Sequence, residues 1–244
     1  MSSLYLREEL GETSVGAMVE LTGAEAKHAV TVTRSRIGDE IRVGNGRGLV
    51  AAGRIETIDA GVVGIRVTEV TVEQERLPRL VLVQALAKGD RDELAIQAAT
   101  ELGVSAIVPW AASRSVSRWE GQKTEKGRAR WETIVREASK QSIRSFVPPV
   151  RPLASTADLR QLATTSRLLL LDPTAVDRLS MFDPGTDERD LLLVVGPEGG
   201  ISDGELELLE AAGAERMRLG DTVLRTSSAG PAALAVLNVT LGRW

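Results

Sequence analysis

The chain has 244 residues but no cysteine, a single histidine, two phenylalanines and one tyrosine. Without cysteine there is no disulfide framework, zinc ribbon, thiol nucleophile or iron–sulfur cluster. With only His28, a multi-histidine metal site cannot form, and Ser-His-Asp chemistry has little room. Long apolar runs are missing too: Leu191–Val195 is strand-sized, far short of a membrane span. The start, Met-Ser-Ser-Leu-Tyr-Leu-Arg-Glu-Glu, carries charge by residue 7 and has no h-region, so a cytoplasmic protein without a secretory signal is expected. A net charge of −4 argues against uniform coating of nucleic acid, although a mean hides patches. Catalysis is left to carboxylates, Lys and Arg, hydroxyls, backbone amides, or a cofactor with its own reactivity.

The first seventy residues alternate apolar and polar positions. Glu40–Val43, Leu49–Ile58 and Val62–Val72 have the period-two pattern of half-buried strands. Gly44-Asn45-Gly46-Arg47-Gly48 lies between the first two. A strand rather than a helix follows it, so the spacing reads as an Asn-Gly hairpin turn, not a phosphate loop. One helix is expected to interrupt the strands, capped by Thr22 with Glu25 completing a capping box. Ala26, Ala29, Val30 and Thr33 fall on one face. His28, Arg34 and Arg36 on or beyond this helix suggest a polar, basic edge.

Glu73–Pro78 is polar, ends in proline and separates two rhythms, so a linker is placed there. Beyond it, Leu80–Leu86, Ala106–Trp110, Phe146–Val150, Leu168–Leu171 and Leu191–Val195 read as strands. Asp90–Leu102, with Leu94, Ala98 and Leu102 on one face, and Thr124–Ser142 read as helices. Continuous apolar strands alternating with helices predict a parallel sheet covered on both faces. Ligands bind outside the carboxyl ends of such strands. Three candidate ends stand out: Leu171-Asp172-Pro173; Val194–Gly200, which leads into a helix near Ser202-Asp203; and Met217–Thr226, which leads into a C-terminal helix. No dinucleotide fingerprint or Walker A lysine accompanies them.

Residues 112–151 hold ten Lys and Arg against four Glu, +6 inside a chain of net −4. Trp119 and Trp131 are interleaved. A solvated helix face with Glu–Arg pairs and an RNA-backbone surface both fit this pattern.

Val195-Gly196-Pro197-Glu198-Gly199-Gly200, followed by Leu219-Gly220 and Leu224-Arg225-Thr226, resembles the SPOUT methyltransferases, in particular the RsmE family of 16S ribosomal RNA (uracil-N3) methyltransferases. Further matches in order and spacing are His28, Arg34, Gly38-Asp39-Glu40, Lys88, Arg91, Thr100-Glu101-Leu102-Gly103, Pro109, Arg114-Ser115, Arg130-Trp131, Glu137-Ala138 and Gln141-Ser142-x-Arg144. The resemblance covers nearly the whole chain. It implies a PUA-like RNA-binding β-barrel over 1–72, a linker at 73–78, and an α/β SPOUT domain over 79–244 with a C-terminal trefoil knot. It also implies a homodimer that uses S-adenosylmethionine, and no metal, to methylate N3 of a uridine in the decoding region of 16S rRNA in the 30S subunit.

On that resemblance Leu171, Val195, Gly196, Pro197, Glu198, Gly200, Leu219, Gly220, Val223, Leu224 and Ser227 are expected to hold the cofactor. RNA would be met by His28, Arg34, Lys88, Arg91, Arg114, Arg136 and Arg144. Arg225 would stabilise the charge on a deprotonated uracil, and Glu198 would either order its loop or accept the proton. Where family members often read Arg-Thr-Glu-Thr-Ala, this chain has Arg225-Thr226-Ser227-Ser228-Ala229, so no carboxylate base is assigned there; Ala98 replaces a frequent Lys. The alternatives are a SPOUT enzyme acting on another RNA site and a non-catalytic RNA-binding or ribosome-assembly factor.

Overall fold

The computed structural model describes residues 4–244. Residues 1–3, where the first expected domain and the non-secretory start begin, lie outside them. The chain forms two compact units, one of residues up to Glu75 together with Ser139–Val147, the other of Arg76–Ala138 and Pro148–Trp244.

In the first unit, β1 (Leu4–Leu6), β2 (Met18–Leu21), β3 (Glu40–Gly44), β4 (Leu49–Asp59) and β5 (Val62–Val72) form one mixed sheet in the order β1-β3-β4-β5-β2. β1 runs parallel to β3 and the other pairs are antiparallel. The alternation seen in sequence is the alternation of faces. Tyr5, Leu21, Ile41, Val43, Ile55, Val63, Ile65 and Val67 turn inward, while Glu40 and its cross-strand partner Arg54 pair outside at 2.9 Å. The Asn-Gly turn is present: Asn45 Oδ1 accepts from the amides of Arg47 (2.8 Å) and Leu49 (3.2 Å). Gly48 there has φ +99°, and a Cβ would lie 2.5 Å from the Glu73 carbonyl oxygen.

Two expectations for this unit need correction. The helix α1 spans only Gly23–Lys27, and a π-turn, His28–Val32, continues it. The wider turn changes the register, so Ala26 and Ala29 are buried but Val30 and Thr33 are exposed. Thr22 occupies the N-cap position without a side-chain cap bond; Glu25 instead pairs with buried Lys140 at 3.1 Å. The expected strand Phe146–Val150 does not form. Pro148 and Pro149 cannot donate to a ladder, and only isolated bridges remain, Arg47 with Phe146 and Ile107 with Val150. Residues 139–147 therefore serve the first unit although they are distant in sequence: Ser145 donates to Glu73 at 2.6 Å.

The second unit holds β6 (Leu80–Ala85), α2 (Arg91–Glu101), β7 (Ala106–Trp110), most of α3 (Gln122–Gln141), α4 (Thr156–Leu162), β8 (Arg167–Leu171), β9 (Leu191–Val195), α5 (Asp203–Glu210), β10 (Glu215–Met217) and α6 (Thr226–Thr240). Its sheet is parallel throughout, in the order β10-β8-β9-β6-β7. β6, β7 and β9 are buried along their whole length, as expected for strands covered on both faces. The buried face of α2 is Ala95, Ile96 and Ala99, not the predicted Leu94, Ala98 and Leu102; Leu94 is 51% exposed. Small residues let α2 pack closely, so residue size rather than hydrophobicity alone chose the face. Gly103, at φ +89°, ends the helical segment as expected. Among the described residues no helix is long and apolar enough to cross a membrane.

Candidate active site

The carboxyl ends of β8, β9 and β10 open into one cavity of about 750 Å³, within the range of about 300–1,000 Å³ typical of small-molecule sites. Every residue expected from sequence to hold a cofactor lines it except Ser227; its neighbour Thr226 lines it instead. Arg91, Arg114 and Arg225 also line the cavity, as do Asp172 and Arg216.

The loop after β9 is built around close backbone approach. A Cβ on Gly196 would sit 2.9 Å from the Ile201 nitrogen, so this turn admits only glycine without movement. Gly200, at φ +72°, closes a turn by donating to the Pro197 carbonyl. Glu198 Oε1 accepts from the Lys88 amide (3.1 Å) and from Arg91 Nη1 (2.7 Å), which fastens this loop to the start of α2. Burial pushes the Glu198 carboxyl up, but its own amide, Arg91 and the Lys88 amide outweigh that and hold it below the usual glutamate range. On the loop's other side, Arg114 Nη1 donates to the Gly199 and Ile201 carbonyls, both at 3.2 Å.

Glu205 was not singled out in sequence, yet it organises this side. Its buried carboxylate accepts from the Ser113 amide (2.8 Å) and hydroxyl (2.7 Å), the Ser202 amide (3.2 Å) and hydroxyl (2.7 Å), and the Thr156 hydroxyl (2.9 Å). Burial raises its pKa, but these hydroxyls and amides together lower it overall. Two backbone amides from different loops bind its two different oxygens, an arrangement that favours the ionised carboxylate. The Ser202-x-x-Glu205 capping-box spacing was the available sequence signal.

Asp172, after β8, is fastened in a similar way. Thr174 donates its amide (2.8 Å) and hydroxyl (2.9 Å) to Oδ1, and Arg216 on β10 donates through Nε to Oδ2 (2.9 Å). Burial raises the Asp172 pKa, but Thr174 and Arg216 bring it below the usual range.

The third segment, 218–225, is far less constrained. Arg218 pairs with Asp221 at 2.8 Å, Val223 is 80% exposed and Leu224 38% exposed. Arg225 stands at the N-cap of α6 and lines the cavity; its guanidinium has no hydrogen-bond or ion-pair partner among the described residues.

The other expected RNA contacts are dispersed. In the first unit, the half-buried His28 ring packs on Tyr5 at 5.8 Å, and Arg34 is exposed with φ +57°. Arg144 is desolvated, which lowers its pKa to about 10. In the second unit, the Lys88 side chain is exposed and Arg136 pairs with Glu137 at 3.4 Å. The tryptophans of the basic stretch are chiefly packing residues rather than stacking platforms. Trp131 is buried, and Trp119 meets it edge-on at 5.1 Å. Part of the positive excess is neutralised locally, through Arg128–Glu132 (3.1 Å) and Arg130–Glu93. No group of three or more His, Cys, Asp or Glu among the described residues is arranged to hold a metal.

Comparison with known proteins agrees with this architecture. An RNA methyltransferase domain model matches residues 73–238, and an RNA methyltransferase PUA domain model matches residues 21–63. The ribosomal RNA small subunit methyltransferase E of Mycobacterium bovis is 39% identical, covering 100% of this chain and 94% of that protein. Its Bacillus subtilis namesake is 33% identical over 89% of this chain and 88% of its own length. Among solved structures, the Neisseria gonorrhoeae enzyme of the same name, bound to S-adenosylmethionine, superposes with a TM-score of 0.83 at 27% identity, covering 98% of both chains. A Legionella pneumophila protein with bound S-adenosylmethionine superposes at 0.85, with 28% identity and 98% of both chains covered. With a PUA-like sheet unit, an α/β unit and these relatives along its full length, the chain belongs to the ribosomal RNA small subunit methyltransferase E family of RNA methyltransferases.

Proposed function

We propose that this enzyme methylates N3 of a uridine in the decoding region of 16S rRNA, within the small ribosomal subunit, using S-adenosylmethionine. The observation that carries the reading is the cavity at the ends of β8, β9 and β10, lined by two glycine-containing segments and by Arg225, whose guanidinium has no partner among the described residues. Its donor set suits the cofactor: peptide groups near Val195-Gly196 and Leu219-Gly220, with Leu171, Val223 and Leu224 as apolar neighbours for an adenine and its sulfur-linked chain. When bound, S-adenosylmethionine supplies an activated methyl group, so no thiol, histidine or metal is required.

The protein's own residues then orient and stabilise. N3 of uracil becomes a competent nucleophile on losing its proton, which spreads charge over the flanking carbonyl oxygens. Arg225 aims positive charge at those oxygens, and the N3 proton passes to solvent. Glu198 serves the loop: with Arg91 and the Lys88 amide on it and its pKa lowered, it is a poor proton acceptor. Lys88, Arg91, Arg114 and Arg136 are assigned to RNA on the α/β unit, and His28 and Arg34 on the sheet unit. The half-buried Arg144 is assigned to RNA on the sheet unit as well.

The same reading holds that residues 1–72 close as a PUA-like barrel, that 73–78 is a linker, and that 79–244 form a SPOUT domain whose C-terminal segment threads a trefoil knot. It further takes the enzyme to be a cytoplasmic homodimer, with the exposed Val223 and Leu224 near the subunit interface. Transfer of labelled methyl to undermethylated 30S subunits and to naked 16S rRNA, followed by mapping of the modified base, tests the proposal. Label at N3 of one decoding-region uridine is expected. Label elsewhere would assign a different RNA site, and no label on either substrate would leave an RNA-binding factor.

A further inference from the structure

Gln84 is the only polar residue in the run Leu80–Leu86, lies on an interior strand and is 0% exposed. Its hydrogen bonds have a forced direction. The Thr226 hydroxyl donates to the Gly196 carbonyl at 2.9 Å. A carbonyl oxygen only accepts, so the single hydroxyl proton is committed there, and Thr226 can only accept from Gln84. Gln84 therefore presents its NH2 group, donating to Thr226 Oγ1 at 2.9 Å and to the Ala85 carbonyl at 3.1 Å. That orientation leaves Oε1 buried with no hydrogen-bond partner among the described residues.

An unpaired buried amide oxygen is destabilising, and an apolar side chain of similar volume would avoid it. Stability alone does not account for a glutamine here. What the amide does is connect two cavity walls. Gly196 belongs to the loop after β9, and Thr226 is the first residue of α6, directly after Arg225. From this geometry we infer that Gln84 is a positioning residue for methyl transfer. Acting through Thr226, it keeps the Gly196 carbonyl and the Arg225-bearing start of α6 in one fixed relation. The inference rests on the proposed function and adds to it a residue that lies outside the cavity lining.

The test compares Gln84→Met, Thr226→Val, their double variant and Thr226→Ser in the full chain. Measured quantities are kcat and KM on undermethylated 30S subunits, S-adenosylmethionine affinity by calorimetry, and thermal melting. Gln84→Met is expected to lower kcat about tenfold and to weaken cofactor affinity about threefold, since small misplacements of reacting groups carry large rate losses. Its RNA KM should change less than about twofold and its melting temperature should stay level or rise. The double variant should be no worse than the more impaired single one, because both break the same relay. Thr226→Ser should restore most of what Thr226→Val loses.

Unchanged kcat in Gln84→Met overturns the inference, as does a kcat loss matched by a fall in melting temperature, or losses that add. If Gln84→Met does not fold, equal kcat in Thr226→Val and Thr226→Ser overturns it. If the unmodified enzyme transfers no methyl to 30S subunits or to naked 16S rRNA, the proposed function fails. The relay then stands or falls on calorimetry alone, where unchanged cofactor affinity in Gln84→Met rejects it.

Discussion

The two glycine-containing segments at the cavity differ in how they are held. Residues 196–202 are fastened from several directions: Glu198 to Lys88 and Arg91, the Gly199 and Ile201 carbonyls to Arg114, Ser202 to Glu205, and the Gly196 carbonyl to Thr226. Residues 219–225 have few such ties and leave Val223 largely exposed. A preformed wall minimises the ordering cost of binding a small molecule, whereas an open wall can adjust to a macromolecule. Within the proposed function, the first segment is the preformed wall for the cofactor, and the second completes that wall and also meets the RNA target or a partner subunit.

The largest expected effect tests that division on the open side. Arg225→Ala should reduce methyl transfer at least about 100-fold, the scale for losing one charge-stabilising group, while calorimetry shows S-adenosylmethionine affinity within about twofold. Equal loss of cofactor binding would erase the distinction between the segments. On the fastened side, Gly196→Ala places a Cβ 2.9 Å from a backbone nitrogen. It should weaken cofactor affinity about tenfold or more, because backbone cannot yield as a flexible side chain can.

Glu205→Gln leaves one of two backbone amides facing an NH2 group. At about 2 kcal/mol for a buried unsatisfied donor, melting should fall by about 5 °C. The acid limb of stability belongs to the same groups. Glu198, Glu205 and Asp172 all have folded-state pKa values below their ordinary ones. Their stabilisation is complete above the unfolded values, near about 4, and is lost as pH falls through the lower folded values. Denaturant melts between about pH 6 and about pH 3 should show that decline, and Glu205→Gln should make it shallower. The smallest effect is on the open segment: Val223→Ser should shift stability by less than about 0.5 kcal/mol, as expected for an exposed position.

Much of the cavity lining was legible because backbone-built sites leave glycine in the sequence, and the first such segment followed the apolar strand Leu191–Val195. Arg225 was picked out through the resemblance of Leu224-Arg225-Thr226 to the family's motif. Glu205 and Gln84 were less legible. A glutamate in a helix's first turn ordinarily caps that helix, and nothing local shows that Ser113 and Thr156 also converge on it. A glutamine in an apolar strand does not reveal that its partner lies 142 residues away. The α2 face was misread because leucine outweighs alanine in any hydrophobic pattern, yet Ala95 and Ala99 allow the closer approach. The sequence left open whether Trp119 and Trp131 belonged to an RNA surface, because spacing along a chain says nothing about which neighbour covers a ring.

By itself the sequence determined which chemistry was closed to this protein, with no thiol and no multi-histidine metal site, and it specified an alternating sheet followed by a buried parallel one. Strand faces, hairpin turns and glycine segments are local consequences of side-chain period and φ preference, so they can be read locally. Tertiary structure alone decided which groups act together. It joined residues 139–147 to the first unit, set Arg114 against the Gly199 and Ile201 carbonyls, and carried Gln84 to Thr226. Those choices depend on hydrogen-bond partners that must be satisfied wherever the folded chain buries them, and burial is a property of the whole chain.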